Sequence, residues 1–192
     1  SYIDCMRHSI IAVFLVLMSA VVFADVVQAD PFGNGYPNEG FLPDNYDHDW
    51  CFTTTFPSTW QATARARHEY LGLVTFYDAG SEQSCTGGTD VKWAASNAIT
   101  ARGTYSCDVF SSGALYCDEA VLKINSSTSI LPSTERAKTM CHELGHSLGL
   151  RHSTPSDYLY YTDCMLSGSS TSTTLSPHHV DHADSRFRTS SW

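Results

Sequence analysis

The chain is poor in basic residues, with 11 Lys and Arg against 20 Asp and Glu and a formal charge of −9 over 192 residues. Nucleic acids and anionic membrane surfaces select for the opposite sign, so neither is expected as a partner. It also lacks an apolar run long enough to cross a bilayer. The run Ile10 to Ala24 covers about 15 residues, where a spanning helix needs about 20. No two cysteines form a C-x-x-C pair, which argues against a thiolate zinc site. No cysteine follows the apolar run, so no lipid anchor is expected there, and there is no internal repeat.

What is present at the N-terminus fits export. Met6-Arg7-His8 is basic, the apolar run follows, and Val27-Gln28-Ala29 offers small residues for cleavage, the three parts of a secretory signal peptide. Residues 1–29 are therefore expected to be a signal peptide, with Ser1 to Cys5 upstream of the true start at Met6. Residues 30–50, rich in Gly, Pro, Asn and Asp, are expected to be irregular, and 51–192 to form one catalytic domain. The product should be secreted and free of the membrane after cleavage. Without Cys5 six cysteines remain, an even number that in an exported chain favours three disulfides among 15 possible pairings.

Periodicity outlines the elements. Trp60, Ala64 and Leu71 share a helical face after a cap at Ser58 or Thr59, with a stop at Gly72. Leu73 to Tyr77, Val91 to Ile99, Gly103 to Cys107, Leu115 to Cys117 and Ala120 to Asn125 are strand-like, and 78–88 a loop. The turn Ser111-Ser112-Gly113 makes a hairpin in which a Cys107–Cys117 bridge is geometrically easy. A second helix is expected from an N-cap at Ser133 to Gly149, with Ala137, Cys141, Leu144 and Leu148 on its apolar face. Ser167 to Thr174 is a loop. Ser176-Pro177 has the cap-then-proline pattern that opens a last helix, running to about Phe187.

Within the second helix lies His142-Glu143-Leu144-Gly145-His146. Imidazoles four residues apart stand one turn above each other and can reach one metal ion. A third ligand is needed, with a fourth position left for water. Gly149 and His152 follow at the spacing that supplies it, because glycine lets the chain leave the helix sharply and bring His152 back. The five fixed positions of H-E-x-x-H-x-x-G-x-x-H should coincide by chance on the order of once in 10⁴ such sequences. Zinc is the expected ion, held by His142, His146 and His152, with Glu143 beside it as general base and acid for peptide hydrolysis. A zinc-binding extracellular protein without turnover, or a non-peptidase zinc hydrolase, could share the three ligands. A purely structural site, however, has no need of Glu143.

The segment 142–152 resembles the zinc signature of the metzincin metallopeptidases. That group also carries a methionine turn beneath the metal, and Met165 in Asp163-Cys164-Met165-Leu166 matches it. Ser153 is the residue type found after the third histidine in the matrixin branch. No tyrosine stands two residues after Met165, so the tyrosine ligand of astacins and serralysins is not expected. The resemblance implies an α+β fold: a small twisted, mainly parallel sheet with N-terminal, active-site and C-terminal helices. It implies a secreted zinc endopeptidase acting as a monomer on protein or peptide, the substrate extended along an edge strand. A structural calcium in the 78–90 loop is allowed by the resemblance, though the chain has no calcium motif. Cys141 and Cys164 each precede a signature residue, so a bridge between them would tie the turn to the helix; Cys51–Cys85 follows by elimination. Two other polar groups stand out. His178, His179 and His182 are expected to be solvated helix surface, and Asp47-His48-Asp49 either a polar turn or a cation site.

Overall fold

A computed structural model describes residues 41–45, 47–75, 78–111, 116–153 and 163–189. The chain divides into two units, Ser1–Asp30 and Pro31–Trp192; the first, which holds the expected signal peptide, lies outside the described residues.

The second unit is α+β, with a mainly parallel sheet and three helices. Its strands are β1 (Leu42–Pro43), β2 (Trp50–Phe52), β3 (Val91–Ser96), β4 (Gly103–Phe110) and β5 (Tyr116–Asn125). The helices are α1 (Ser58–Val74), α2 (Arg136–Ser147) and α3 (Pro177–Thr189). β5 is central. It pairs in parallel with β3 from Val91↔Ala120 to Ser96↔Asn125, and antiparallel with β4 from Gly103↔Ile124 to Phe110↔Cys117. β2 continues the sheet in parallel beyond β3, and β1 joins the start of β5. β4 pairs only with β5 among the described strands, which leaves β4 as an edge.

Ala120, Val121, Leu122, Ile124 and Asn125 of β5 are all buried, as both faces of a mostly parallel sheet require. Trp93, Leu122 and Ile124 share one apolar core with Trp60, Ala64 and Leu71 of α1 and with Met140, Leu144 and Leu148 at α2. Three disulfides brace it: Cys51–Cys85, Cys107–Cys117 and Cys141–Cys164, the pairs expected from the sequence.

Several local expectations are corrected. Leu73 and Val74 are the end of α1, not a strand; Phe76 and Tyr77 lie outside the described residues. Helical hydrogen bonding wins there, because Thr75 donates from both its N–H and its Oγ1 to Leu71 O, while Leu73 is 85% exposed with no sheet to join. Gly72 is therefore not a stop. Neither Ser58 nor Thr59 caps α1, since Pro57 holds that position with its carbonyl accepting from Trp60 N–H. Ser133 begins a single 3₁₀ turn, Ser133–Glu135, before α2 proper. Residues 115–117 and 120–125 are not two strands: β5 runs through both from Tyr116, because Glu119 pairs with Lys92 and β4 bulges between Cys107 and Phe110. The segment 30–50 is not irregular throughout, since β1 and the start of β2 lie in it. α2 is also not one-sided, for every residue from Lys138 to Ser147 is buried.

The 78–90 loop ends in a carboxylate cluster, with oxygens of Asp44, Asp90 and Asp118 within 4.8 Å of one another. Burial, and then the charges of Asp47, Asp44 and Asp49, push Asp90 up to about 7, against a hydrogen bond from Asp49 N–H. A folded pKa above the unfolded value means stability that is complete below about pH 4 and lost as pH rises towards 7. Asp90→Asn should therefore raise stability at pH 8 by about 1–2 kcal/mol, discounted for solvent screening, and change little at pH 4. Urea denaturation at the two pH values, with a calcium chelator present, measures the difference.

Candidate metal centre

α2 lies against β4 and β5 on one side and α1 on the other, which holds its polar residues beneath the start of the edge strand. His142 and His146 project from it toward a pocket of about 680 Å³. The helix then ends in a Schellman turn. Gly149 N–H donates to His146 O at 2.9 Å, Leu150 N–H donates to Gly145 O at 3.1 Å, and Gly149 itself has φ 81°. That left-handed residue turns the chain back, so that His152 meets the other two rings. A Cβ on Gly149 would also stand 2.9 Å from Leu42 Cδ2. Gly149→Ala should cost about 1–2 kcal/mol by urea denaturation and weaken zinc binding in a competition titration.

The three Nε2 atoms form a nearly equilateral triangle: 3.2 Å from His142 to His146, 3.1 Å from His146 to His152 and 3.0 Å from His152 to His142. A tetrahedral zinc with Zn–N of about 2.0–2.1 Å sets its nitrogens about 3.3 Å apart, so the triangle fits such an ion. The opposite nitrogens settle the tautomer. His142 Nδ1 donates to Cys164 O and His146 Nδ1 to Leu150 O, both at 2.8 Å, which leaves the Nε2 lone pairs turned inward. Burial, then the proximity of His146 and Lys138, holds His142 well below the usual histidine range; burial lowers His146 to about 3. Both rings are thus neutral, as ligands must be.

Glu143 is 4% exposed and packs under β4. A Cβ on Gly103 would lie 2.5 Å from its Oε1, so only glycine leaves room there. Burial pushes Glu143 up to about 8, and the charge of Lys138 pulls the other way. Lys138 itself is buried one turn before His142 and is lowered by burial to about 8. Met165 forms the floor: a Cβ on Gly145 would stand 2.3 Å from its sulfur.

Behind the histidines is a second polar cluster. Asp163, fully buried, accepts from Met165 N–H at 2.8 Å and Ser153 Oγ at 2.9 Å, and pairs with His179 Nδ1. Ser153 N–H donates to Met165 O at 3.1 Å, and Ser176 Oγ caps α3 by accepting from His179 N–H. Asp163 thereby joins the residue after His152, the methionine turn and α3. This corrects the surface reading of the C-terminal histidines, since His179 is 2% exposed. His178 and His182 pack ring to ring 4.4 Å apart, and no third ligand joins them among the described residues. His48 in Asp47-His48-Asp49 is not an exposed turn residue, and no cluster of three ligands among the described residues includes this triplet. His48 is buried, lowered to about 3 by burial, and its Nε2 is hydrogen-bonded with Ser147 Oγ at the end of α2.

Residues 57–185 match the peptidase M57 family, described as a dual-action HEIGH metallo-peptidase. The chain's own pentad, His142-Glu143-Leu144-Gly145-His146, differs from those five letters at one apolar residue. No curated protein sequence matches the chain. Among solved structures, the crystal structure of an archaemetzincin from Methanopyrus kandleri is similar at 13% identity. The match covers 77% of this chain and 99% of that one with a TM-score of 0.47, too low to carry a conclusion about activity.

Proposed function

The chain belongs to the M57 family of HEIGH metallopeptidases, and from that premise we propose that it is a secreted zinc endopeptidase of matrixin-like metzincin type. Membership makes it a zinc metallopeptidase with protein or peptide substrates; the finer statements are our own reading. One observation carries that reading: three imidazoles present inward nitrogens 3.0–3.2 Å apart, beside a buried carboxyl group in an open pocket.

His142, His146 and His152 would hold the ion, with Cys164 O and Leu150 O fixing the orientation of the first two. Zinc, when bound, acidifies water and polarises the scissile carbonyl. Glu143 takes the proton that water releases as its oxygen bonds to the carbonyl carbon, then passes it to the amine nitrogen as the C–N bond breaks. The open edge of β4 gives an extended peptide main-chain partners leading to Glu143. Met165, packed on Gly145, keeps the floor under the histidines rigid.

Export is supported by the N-terminal pattern and by three disulfides, which persist in oxidising compartments. No helix among the described residues is long and apolar enough to cross a membrane. We take the enzyme to act as a monomer. Incubating purified protein with casein, with and without a chelator, tests the proposal. Cleavage that the chelator stops is expected; intact casein in both samples, from protein shown to contain zinc, would instead favour a binding role.

A further inference from the structure

Lys138 poses a problem that zinc and Glu143 do not solve. Its side chain is 5% exposed, yet it lines the pocket beside the metal ligands. A buried ammonium costs several kcal/mol unless it is paired. Nζ has three protons to donate and, among the described residues, finds one good acceptor, Leu166 O at 2.6 Å. His142 Nδ1 is 3.4 Å away but is already donating to Cys164 O, so it cannot accept. No carboxylate lies within ion-pair distance of Nζ among the described residues.

The other pocket cation differs in this respect. Arg102 pairs with Glu135 at 2.9 Å and donates to Ser169 Oγ at 2.7 Å, which occupies its guanidinium across the rim. Glu143 is near enough to feel Lys138 but is held under Gly103. Among the described residues Lys138 is thus the pocket cation with no carboxylate in ion-pair contact, although the charge of Glu143 reaches it, and its Nζ lies 3.4 Å from His142 Nδ1. That places it within reach of the side chain of a residue flanking the scissile bond.

We propose that Lys138 makes the pocket select peptides with an Asp or Glu side chain next to the bond that is cut. The inference rests on the peptidase reading. A carboxylate entering the pocket completes the donor set of Nζ in a site shielded from water, where charged hydrogen bonds are strongest. A neutral amide of the same shape accepts only a weaker bond. Discrimination of about tenfold or more is expected.

The test uses fluorescent peptide pairs built on a sequence that the protein cuts in casein, with Glu or Gln on either side of the cut. Cleavage by the wild-type protein should favour Glu in kcat/KM by about tenfold or more at one flanking position. Zinc-loaded Glu143→Gln protein, which reads binding without turnover, should bind the Glu peptide tighter by a similar factor. In Lys138→Met the Glu/Gln ratio should fall to near one, whereas Lys138→Arg should retain it. A purely structural lysine would alter both peptides alike and leave the ratio unchanged. Cleavage with a wild-type ratio near one, or a ratio unmoved by Lys138→Met, overturns this inference and leaves the peptidase reading standing. Should Lys138→Met fail to fold, the ratio in the Glu143→Gln protein decides, and a value near one overturns the proposal. If zinc-loaded protein neither cuts casein nor binds any peptide, the peptidase reading fails and this inference with it.

Discussion

Glu143→Gln is expected to slow peptide cleavage by about 10³-fold while zinc stays bound. Glutamine matches the shape that fits beneath Gly103 but cannot accept the proton released by water. The three imidazoles are untouched, so metal content should equal that of the wild-type protein. Stability should not fall either. Burial pushes the Glu143 carboxyl up to about 8, so without the metal it is mostly protonated at neutral pH, and the amide replaces a neutral group of the same shape. An inactive protein with full zinc and a melting temperature close to that of the wild-type protein is therefore expected, the pattern of a residue whose role is chemical. Assay with a quenched peptide, metal analysis and thermal denaturation of one preparation read all three. Turnover near the wild-type rate would remove Glu143 from the mechanism.

Asp163→Ala should have the largest structural effect, about 3–5 kcal/mol of lost stability, because it strands several buried partners at once. Met165 N–H, Ser153 Oγ and His179 Nδ1 all give their protons to this one carboxylate. The loss should reach the metal, since Ser153 follows His152 and Met165 supports Gly145; zinc should dissociate from the variant faster. Asp163→Asn, which keeps an acceptor but not the charge, should lose less. Burial alone would raise the Asp163 pKa, but the His179 hydrogen bond and charge, then Met165 N–H, hold it below the usual carboxylate value. A depressed folded pKa gives stability that is complete above about pH 4 and lost as pH falls through the lower folded value. Acid denaturation of the alanine variant should lack that component. Urea curves from pH 2 to 7 that ran parallel for the two proteins would rule out this electrostatic role.

The histidine triad was legible in the sequence because its geometry is local. Helical spacing brings His142 and His146 together, and one glycine three residues on allows the turn that returns His152. The capped start of α3 at Ser176-Pro177 and the β4–β5 hairpin were legible for the same reason. What escaped depends on contacts between distant segments. Leu73 and Val74 have strand-like side chains, yet Thr75 extends the helix past them, and no local pattern shows that β2 already occupies the edge beside β3. His179 reads as surface until Asp163, 16 residues earlier, is seen beside it. Gly103 looks like an ordinary strand start, although its missing Cβ is what admits Glu143. Nothing in the sequence marks Lys138 as buried, yet its ammonium reaches Leu166 O just after the methionine turn.

The most direct test of the central claim is a zinc titration of metal-free protein, with cleavage of a quenched peptide followed at each addition. Activity should rise linearly from a baseline near zero and break sharply at one zinc per chain. Full cleavage by metal-free protein, or none at any zinc concentration in folded protein, would contradict it.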